Sequence, residues 1–356
     1  MNLTGSQAAG LTNLKNQHLG QRDHLKKIRR FDIGVRRSAA RQNAYAYKGL
    51  SDLRTTALMN AQTLLLTSIL TSLAATAVQS PMAAHAETDL ESVVHRGELR
   101  AVVINDVLPY AIKTSNGYEG LDMEFLAPIK DELQAWAGKP IKLKTIPVKS
   151  IDEGMTALLT DKADIACGVT FSWQRSLMVD YSIPFALGGV RVIAPEGIDG
   201  TPDSLVGKTI GVIKGSMAAK TLKAAVPDAK FIEFLTPQEA LNAIKTGKIA
   251  ILGGDSLWLA AYREEIAPTS KLAPAYPYQR AAIGCIMKEN NSTMMDYSNI
   301  GIAKLLQGYI EKDKTVRAGV NRWIGPESSV GLPEQTISNF YKLILSTRAT
   351  LQLKPH

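Results

Sequence analysis

The apolar residues of the chain fall into two alternating patterns from about residue 96 onward, one typical of strands and the other typical of helices. The apolar run at 99–104 predicts a buried strand, and 121–137 carries apolar residues at helical spacing after Asp122, which we expect to cap that helix. The alternation predicts an α/β fold, with a first βαβαβ layer around a parallel sheet up to residue 169 and a second layer from residue 191. The other predicted strands are 141–148, 163–169, 192–194, 209–213, 231–234, 249–252 and 282–288, and the other predicted helices are 155–159, 217–225, 237–245, 257–262, 299–311, 315–323 and 335–350.

The first 86 residues do not share this alternation. Residues 1–60 hold eleven Lys or Arg against three acids, and residues 61–86 carry no formal charge. An apolar core at 63–78 leads to Ala84-His85-Ala86, the small-x-small pattern that signal peptidase cuts. We therefore expect residues 1–86 to be a leader that is cleaved after Ala86, and the mature chain to be periplasmic. An uncleaved membrane anchor stays open as the alternative, because the apolar stretch is only slightly shorter than a bilayer span.

Composition narrows the chemistry of the remaining chain. Residues 87–356 hold 30 basic and 30 acidic residues, so no excess positive charge indicates a nucleic-acid partner. Only two histidines, His95 and His356, lie in this part, one near each end. A Ser-His-Asp triad, a Cys-His pair or a histidine-based metal site needs a histidine in the middle of the fold. These residues therefore argue against most hydrolase chemistry and against a metal site. We expect a protein that is not an enzyme and needs no cofactor.

One segment carries candidate chemistry. The predicted strand 163–169 runs into Thr170, and Arg175 follows about one helical turn later, at the expected start of a helix. A strand end with a hydroxyl, a helix start and a guanidinium together form a suitable receptor for a carboxylate. The alternative without a ligand is a surface ion pair between Arg175 and Asp180, which would contribute little to stability.

Several motifs in a fixed order give the chain a wider resemblance. From about Arg96 to Trp323 it resembles the family-3 extracellular solute-binding proteins, the periplasmic receptors of amino-acid ABC transporters. The resemblance implies a type II periplasmic-binding-protein fold, in which two α/β lobes are joined by a two-strand hinge and a ligand cleft lies between them. Lobe 1 would be 87–190 plus 284–335, lobe 2 would be 191–283, and 336–356 would form a C-terminal helix and tail, with hinge crossings near 187–190 and 280–283. The motifs are Gly117-Tyr118-Glu119-Gly120-Leu121-Asp122, Thr160-Asp161-Lys162-Ala163-Asp164, the 170–175 segment, Asp180-Tyr181-Ser182-Ile183-Pro184-Phe185, the 207–216 segment and Gly253-Gly254-Asp255.

The resemblance also implies roles for individual residues at the carboxylate end of a bound amino acid. Arg175 would hold the carboxylate through two hydrogen bonds. Thr170 and Ser216 would each offer a hydroxyl and a backbone N–H, and Ser216 begins a helix whose positive end favours an anion. Ser216 caps that helix in either case, and Thr170 has the alternative of simply ending its strand.

At the opposite end, Asp255 would receive the ammonium, helped by the Gly168 carbonyl, although capping the next helix would alone explain an aspartate at this position. Tyr110 lies in the loop that would set side-chain selectivity. Trp173 and Trp258 are candidates for the cleft wall, with ordinary packing as the alternative. The frame around the ligand side chain is apolar where well-known members have aromatic and acidic residues, which argues against a cationic amino acid: Ile104, Val107, Ile151, Met217 and Ala218.

The two cysteines of the chain, Cys167 and Cys285, lie on strands that the family layout makes neighbours. A disulfide between them would suit an oxidising compartment. The alternative is a pair of buried free thiols, which we favour because a bridge between adjacent strands is geometrically demanding.

Three function classes remain. The leading hypothesis is a monomeric receptor that captures an amino acid or related small carboxylate and delivers it to an ABC permease in the membrane. A second is an orphan binding-like protein, a scaffold or sensory module without a transporter. A third is a dehydratase-like enzyme on the same fold, for which Asp106, Asp152 or Asp255 would have to supply the general acid.

Overall fold

The computed structural model describes residues 89–348, so the predicted leader, its cleavage site and the last eight residues lie outside the described part. Strands and helices alternate along this part as predicted. The helices are α1 Asp89–Arg96, α2 Leu121–Ala137, α3 Ile151–Leu159, α4 Pro202–Leu205, α5 Met217–Ala225, α6 Pro237–Lys245, α7 Ser256–Ile266, α8 Ser292–Ile310, α9 Lys314–Ile324 and α10 Glu334–Leu345. The strands are β1 Glu98–Ile104, β2 Ile112–Thr114, β3 Gly117–Glu119, β4 Lys142–Val148, β5 Ile165–Thr170, β6 Val179–Tyr181, β7 Ala186–Ala194, β8 Thr209–Ile213, β9 Lys230–Phe234, β10 Ile251–Asp255, β11 Lys271–Ala273 and β12 Arg280–Lys288.

The strands form two parallel groups. In the first group β1 pairs in parallel with β4 on one side and with β5 on the other, as the βαβαβ pattern predicts. In the second group β8 pairs in parallel with both β9 and β10. Within each group, helices connect successive parallel strands, which is the usual connection between such strands.

Two long strands connect these groups. β12 pairs antiparallel with β5 of the first group, and β7 pairs antiparallel with β10 of the second group. β7 and β12 also pair with each other, from Ile283 opposite Ala186 to Arg280 opposite Gly189. The crossings predicted at 187–190 and 280–283 therefore lie side by side. The fold is of the type II class, with two α/β lobes joined by two strands, and the exact lobe boundaries stay a prediction.

Helix α2 shows how the apolar pattern builds the core of the first group. Leu121, Phe125, Ile129 and Leu133 recur every four residues and are completely buried. Phe125 stacks on Phe185 with ring centroids 4.1 Å apart. On the facing helix α8, a Cβ at Gly301 would lie 2.8 Å from the backbone nitrogen of Ile129, so the two helices approach closely only because this position is glycine.

The structure differs from the sequence prediction at several helix ends. The capping residue of α2 is Gly120, and Asp122 lies inside the first turn. Arg175 begins only a single 3-10 turn, Arg175–Leu177, instead of a longer helix. Helix α8 starts at Ser292, seven residues before its predicted start, and α10 ends at Leu345. The three-residue strands β2, β3, β6 and β11 were too short to stand out in the apolar pattern.

The preference for free cysteines is wrong. Cys167 and Cys285 form a disulfide with sulfur atoms 2.02 Å apart. Gly284 pairs with Val169 and Ile286 with Ala166, so one residue of β12, Cys285, faces two residues of β5 in a β-bulge. The bulge brings the two cysteines together, and the sequence pattern gave no sign of it.

The buried carboxylate of Asp164, just before β5, connects the end of α1 to β1. Asp164 is 8% exposed, and its carboxylate accepts hydrogen bonds from the guanidinium groups of both Arg96 and Arg100 and from the backbone N–H of Arg100. The hydrogen bond to Asp164 is the main reason that the pKa of Arg100 is raised. A buried carboxylate with this many donors stabilises the fold only while every partner is present.

Candidate functional site

A cavity of about 180 Å³ is lined by residues of both strand groups. All six residues that the sequence analysis assigned to ligand binding border it, and so do all five residues of the predicted apolar frame. The six come from chain segments up to 145 residues apart, so only the fold brings them together. They are Tyr110, Gly168, Thr170, Arg175, Ser216 and Asp255.

Arg175 spans the cavity edge between the two groups. Its guanidinium donates hydrogen bonds to the backbone carbonyls of Gly215, at 2.9 Å, and Thr170, at 3.4 Å. Both acceptors are neutral, and within residues 89–348 no carboxylate forms an ion pair with Arg175, so the predicted alternative pair with Asp180 is absent there. A guanidinium has five N–H donors, which leaves several for an incoming anion.

The start of α5 faces the same region of the cavity. Ser216 caps this helix, with its hydroxyl accepting the Ala219 N–H at 3.1 Å. Met217 and Ala218, the first two residues of the helix, also border the cavity. Backbone N–H groups in a first helical turn lack intrahelical acceptors, and the helix dipole is positive there. This end of the cavity therefore suits a negatively charged group.

A second part of the cavity lining, which we call its acidic end, contains the carboxyl groups of Asp255 and Asp122. The Tyr110 hydroxyl donates to Asp255 Oδ2 at 2.6 Å, and the Trp258 N–H donates to the same oxygen at 3.1 Å. Burial raises the pKa of Asp255, and these two hydrogen bonds oppose the rise. Burial and the nearby carboxyls of Asp255 and Asp122 raise the pKa of Tyr110 well above its usual value, so Tyr110 keeps its proton at neutral pH. Asp255 thus caps α7 and also contacts the opposite group through Tyr110.

Asp122 is a cavity residue that the sequence analysis did not assign to the site. It is 4% exposed, and its Oδ1 is buried without a hydrogen-bond partner in the described chain. A Cβ at Gly168 would lie 2.7 Å from Asp122 Oδ2, so the carboxyl lies directly against the backbone of β5. Burial raises its pKa well above the usual range. A sequence signal was available, an aspartate at the start of an apolar helix, but it equally fitted a helix cap.

The two tryptophan candidates have different positions. Trp258 is 3% exposed and borders the cavity, whereas Trp173 is 80% exposed, lies outside it and contacts Phe171 edge to face. Of the three acids named for a dehydratase, Asp255 lines the cavity, and Asp106 and Asp152 are not among its lining residues.

Two further searches cover residues 89–348. They contain no group of three or more His, Cys, Asp or Glu side chains arranged to hold a metal ion. They also contain no helix that is both long enough and apolar enough to cross a membrane.

No protein-family model matches the chain. In sequence, the chain is 24% identical over 245 residues to the L-cystine-binding protein TcyJ of Escherichia coli (strain K12), covering 67% of this chain and 86% of that protein. It is 26% identical over 153 residues to the virulence sensor protein BvgS of Bordetella pertussis (strain Tohama I), covering 43% of this chain and 12% of the sensor.

In structure, the chain matches the solute receptor for L-cysteine of Neisseria gonorrhoeae with a TM-score of 0.58 and 22% identity, over 66% of this chain and 93% of the receptor. It matches the ancestral amino acid-binding protein AncCDT-1, a precursor of cyclohexadienyl dehydratase, with a TM-score of 0.56 and 21% identity, over 67% of this chain and all of that one. The chain therefore has the type II periplasmic-binding-protein fold, and apart from the sensor BvgS these relatives in sequence and in structure are amino-acid-binding proteins.

Proposed function

We propose that the protein is a solute-binding protein that captures an amino acid or related small carboxylate in the cavity between its lobes. We propose further that closure of the lobes presents the bound solute to an ABC-type permease. The observation that carries the proposal is Arg175, a half-buried cation that borders the cavity next to a helix start and has only neutral partners in the described chain. A solute carboxylate would supply the missing anion.

The proposed contacts follow from the two ends of the cavity. Arg175 would bind the solute carboxylate, with Thr170 and Ser216 contributing hydroxyl and backbone groups at the same end. The acidic end, formed by Asp255 together with Asp122, would take the ammonium, and the backbone carbonyl of Gly168 on β5 would assist. Tyr110 would close over the solute from the opposite lobe through its hydrogen bond to Asp255.

The apolar frame limits the side chain of the solute. Ile104, Val107, Ile151, Met217 and Ala218 also line the cavity, and their side chains offer no charge to a third ionic group. The volume of about 180 Å³ is below the ~300–1,000 Å³ of pockets that hold drug-sized ligands. We therefore propose a small amino acid with an uncharged side chain, and L-cysteine and L-glutamine are the first probes because relatives of the chain bind cysteine and glutamine. L-cystine, which a further relative binds, is the contrasting probe because it carries a second ammonium and a second carboxylate.

The first experiment is thermal unfolding of the purified protein against the twenty amino acids, L-cystine and small organic acids. A ligand at about 100 times its Kd adds about 2.7 kcal/mol to the free energy of unfolding, which for a protein of this size raises Tm by roughly 5–10 °C. Absence of any shift across the panel would refute the proposal and favour the orphan binding-like protein.

A matched pair of variants tests the arginine. Arg175→Lys keeps the charge but loses two-point binding, so we expect affinity for the ligand found in the panel to fall by at least tenfold, and Arg175→Ala to abolish binding. Arg191→Lys is the control, because the Arg191 guanidinium is also partly buried and also donates to backbone carbonyls, those of Leu272 and Pro274, but does not line the cavity. Equal losses in both lysine variants would contradict a direct role for Arg175.

Export and the partner are tested separately. We propose cleavage after Ala86, so the mature protein should begin at Glu87, and an intact leader on the isolated protein would support the anchor instead. We propose a monomer, which sedimentation can check. Genes for a permease and an ATPase beside this gene would support transport. Their absence, together with ligand binding, would favour a sensory role, which the similarity to part of BvgS keeps open.

A further inference from the structure

Tyr262 makes hydrogen bonds between the two strand groups without bordering the cavity. It lies on α7, which follows β10 of the second group, and it is 8% exposed. Its hydroxyl accepts the backbone N–H of Leu108 at 3.1 Å and donates to the backbone carbonyl of Asp106 at 2.7 Å. Both partners lie in the β1 loop, residues 105–111, which follows β1 of the first group. Burial raises the pKa of Tyr262, so its hydroxyl keeps the proton that it donates at neutral pH.

The β1 loop carries residues that border the cavity. Val107 lies between the two residues that Tyr262 contacts, and Val107, Tyr110 and Ala111 all border the cavity. Backbone hydrogen bonds hold the loop together, from the Val107 N–H to the Ala111 carbonyl at 2.8 Å and from the Tyr110 N–H to the Val107 carbonyl at 2.8 Å. Because the loop is bonded internally, fixing its backbone at 106 and 108 also fixes the part of the cavity wall that it provides.

Helix α7 connects the same tyrosine to the acidic end of the cavity. The helix is capped by Asp255 and carries Trp258 in its first turn, and both residues border the cavity. Trp258 and Tyr262 are four residues apart and therefore lie on one face of the helix, with ring centroids 6.5 Å apart. From the neighbouring helix α6, the exposed side chain of Gln238 donates to the Asp106 carbonyl at 2.9 Å. Two helices of the second group thus hold the β1 loop.

These hydrogen bonds differ from those that stabilise one group alone. Tyr278 is the comparison, because its hydroxyl donates to the backbone carbonyl of Gly200 at 2.5 Å and both residues lie between β7 and β12 along the chain. Separation of the two groups need not break that bond, whereas the two bonds of Tyr262 exist only while the β1 loop lies against α7. Arg175 and Tyr110 also bond across the groups, but both border the cavity and are proposed to act on the solute itself.

We infer that Tyr262 is a positioning residue that latches the β1 loop onto α7 and so holds the closed form around a solute that it does not touch. The latch consists of the hydrogen bonds from Tyr262 and Gln238 to the β1 loop. Because these bonds form when the groups close, after the solute has entered, the latch should slow release and leave capture unchanged. The inference rests on the proposed function, since it assumes that the solute binds in the cavity and leaves when the groups separate.

Stopped-flow tryptophan fluorescence can separate release from capture, since Trp258 borders the cavity. The probe is the amino acid that raises the Tm of the wild type most, with L-cysteine and L-glutamine tested first. Tyr262→Phe removes both hydrogen bonds and keeps the ring. We expect its release rate to rise about tenfold, which corresponds to ~1.4 kcal/mol, and its association rate to change by less than about threefold. Tyr278→Phe is the matched control and should leave both rates within about twofold of the wild type.

The two rates also define the outcomes that overturn the inference. A release rate of Tyr262→Phe equal to that of the wild type, or a loss of affinity that arises in the association rate, would do so while leaving the proposed function intact. Equal increases of the release rate in Tyr262→Phe and Tyr278→Phe would also overturn it, because they would reflect a general loss of stability. A wild-type protein that binds none of the twenty amino acids would refute the proposed function, and the inference with it.

Gln238→Ala covers the case in which Tyr262→Phe does not fold. Gln238 is exposed, so its truncation should leave the fold intact, and loss of its bond to the Asp106 carbonyl should raise the release rate by about threefold at an unchanged association rate. Lys245→Ala is its control, because Lys245 is exposed on the same helix and pairs with Glu265 of α7 instead of the β1 loop. A release rate in Gln238→Ala no higher than in Lys245→Ala would overturn the inference.

Discussion

Reducing the Cys167–Cys285 disulfide should destabilise the protein by several kcal/mol. The bridge closes a chain segment with a sequence separation of 118 residues. In the chain-entropy treatment, a loop of this length restricts the unfolded chain by about 5 kcal/mol at 25 °C, and removal of native disulfides typically costs about 2–5 kcal/mol. The bridge also fixes β5 to β12 beside Gly168, so the same change should loosen the cavity wall.

Urea unfolding of oxidised and reduced wild-type protein is the direct assay. Both cysteines are at least 92% buried, so the protein should be reduced in denaturant and refolded in reductant before the titration. The comparison changes no side chain apart from the bond itself. We expect the reduced protein to lose about 2–5 kcal/mol of unfolding free energy and to bind its ligand more weakly.

The double variant Cys167→Ala/Cys285→Ala is the control, because reductant should leave its unfolding curve unchanged. Oxidised and reduced wild-type proteins that differ by less than about 1 kcal/mol would refute the reasoning, since the closed segment is long and the native strands pair on both sides of the bridge.

Three further predictions concern single side chains. Asp164→Asn should cost about 3 kcal/mol in urea unfolding, because Arg96 and Arg100, which are 32% and 19% exposed, would lose their buried carboxylate partner. Glu265→Gln in an exposed ion pair should change stability by less than about 0.5 kcal/mol, and equal effects of the two substitutions would contradict the importance of burial. Burial raises the pKa of Asp122 in the folded protein above its unfolded value of about 3.9. As pH rises above about 3.9, the contribution of Asp122 to the free energy of unfolding therefore falls, by up to ~1.4 kcal/mol per pH unit, until pH reaches the folded-state pKa. Asp122→Asn should remove this pH dependence, so the unfolding free energy of the variant should rise relative to that of the wild type between about pH 4 and 7. A difference between the two proteins that stays constant across this range would contradict the prediction. Tyr110→Phe should remove one hydrogen bond from Asp255, raise the pKa of Asp255 and cost about 1–2 kcal/mol in lobe closure, measured as weaker binding of the ligand found in the panel. Unchanged binding would show that the contact across the cavity is dispensable.

The binding hypothesis combines two kinds of support. The cavity assembles the predicted residues and adds Asp122, and the relatives found by sequence and structure include several amino-acid-binding proteins. Because every sequence match is at or below 26% identity, the choice of solute depends on the side chains of this cavity. The charged residues that line the cavity are two acids, Asp122 and Asp255, and one arginine, Arg175, so both charges of a zwitterion can find an opposite charge there.

Much of the fold was readable from the sequence, because neighbouring residues determine local structure. Helix α2 was predicted at Leu121–Ala137 with the observed bounds, since its apolar residues recur at helical spacing over four turns. Strand β8 and helices α5 and α6 were predicted with equal accuracy, since strand and helix periods differ clearly over five to nine residues. The residue types at strand ends and helix starts similarly indicated Arg175, Thr170 and Ser216.

Contacts between distant segments were beyond the sequence. The Tyr110–Asp255 hydrogen bond joins residues 145 positions apart, and the disulfide depends on a bulge that changes the register of β5 against β12. Asp122 fitted a cap equally well, and only the packing of α2 beneath Gly168 turned its carboxyl into an unpartnered group at the cavity. The sequence by itself thus determined the elements and the residue types of the site through short-range spacing. The tertiary structure alone decided which polar atoms meet and which stay unpaired, because that depends on the register and packing of the whole sheet.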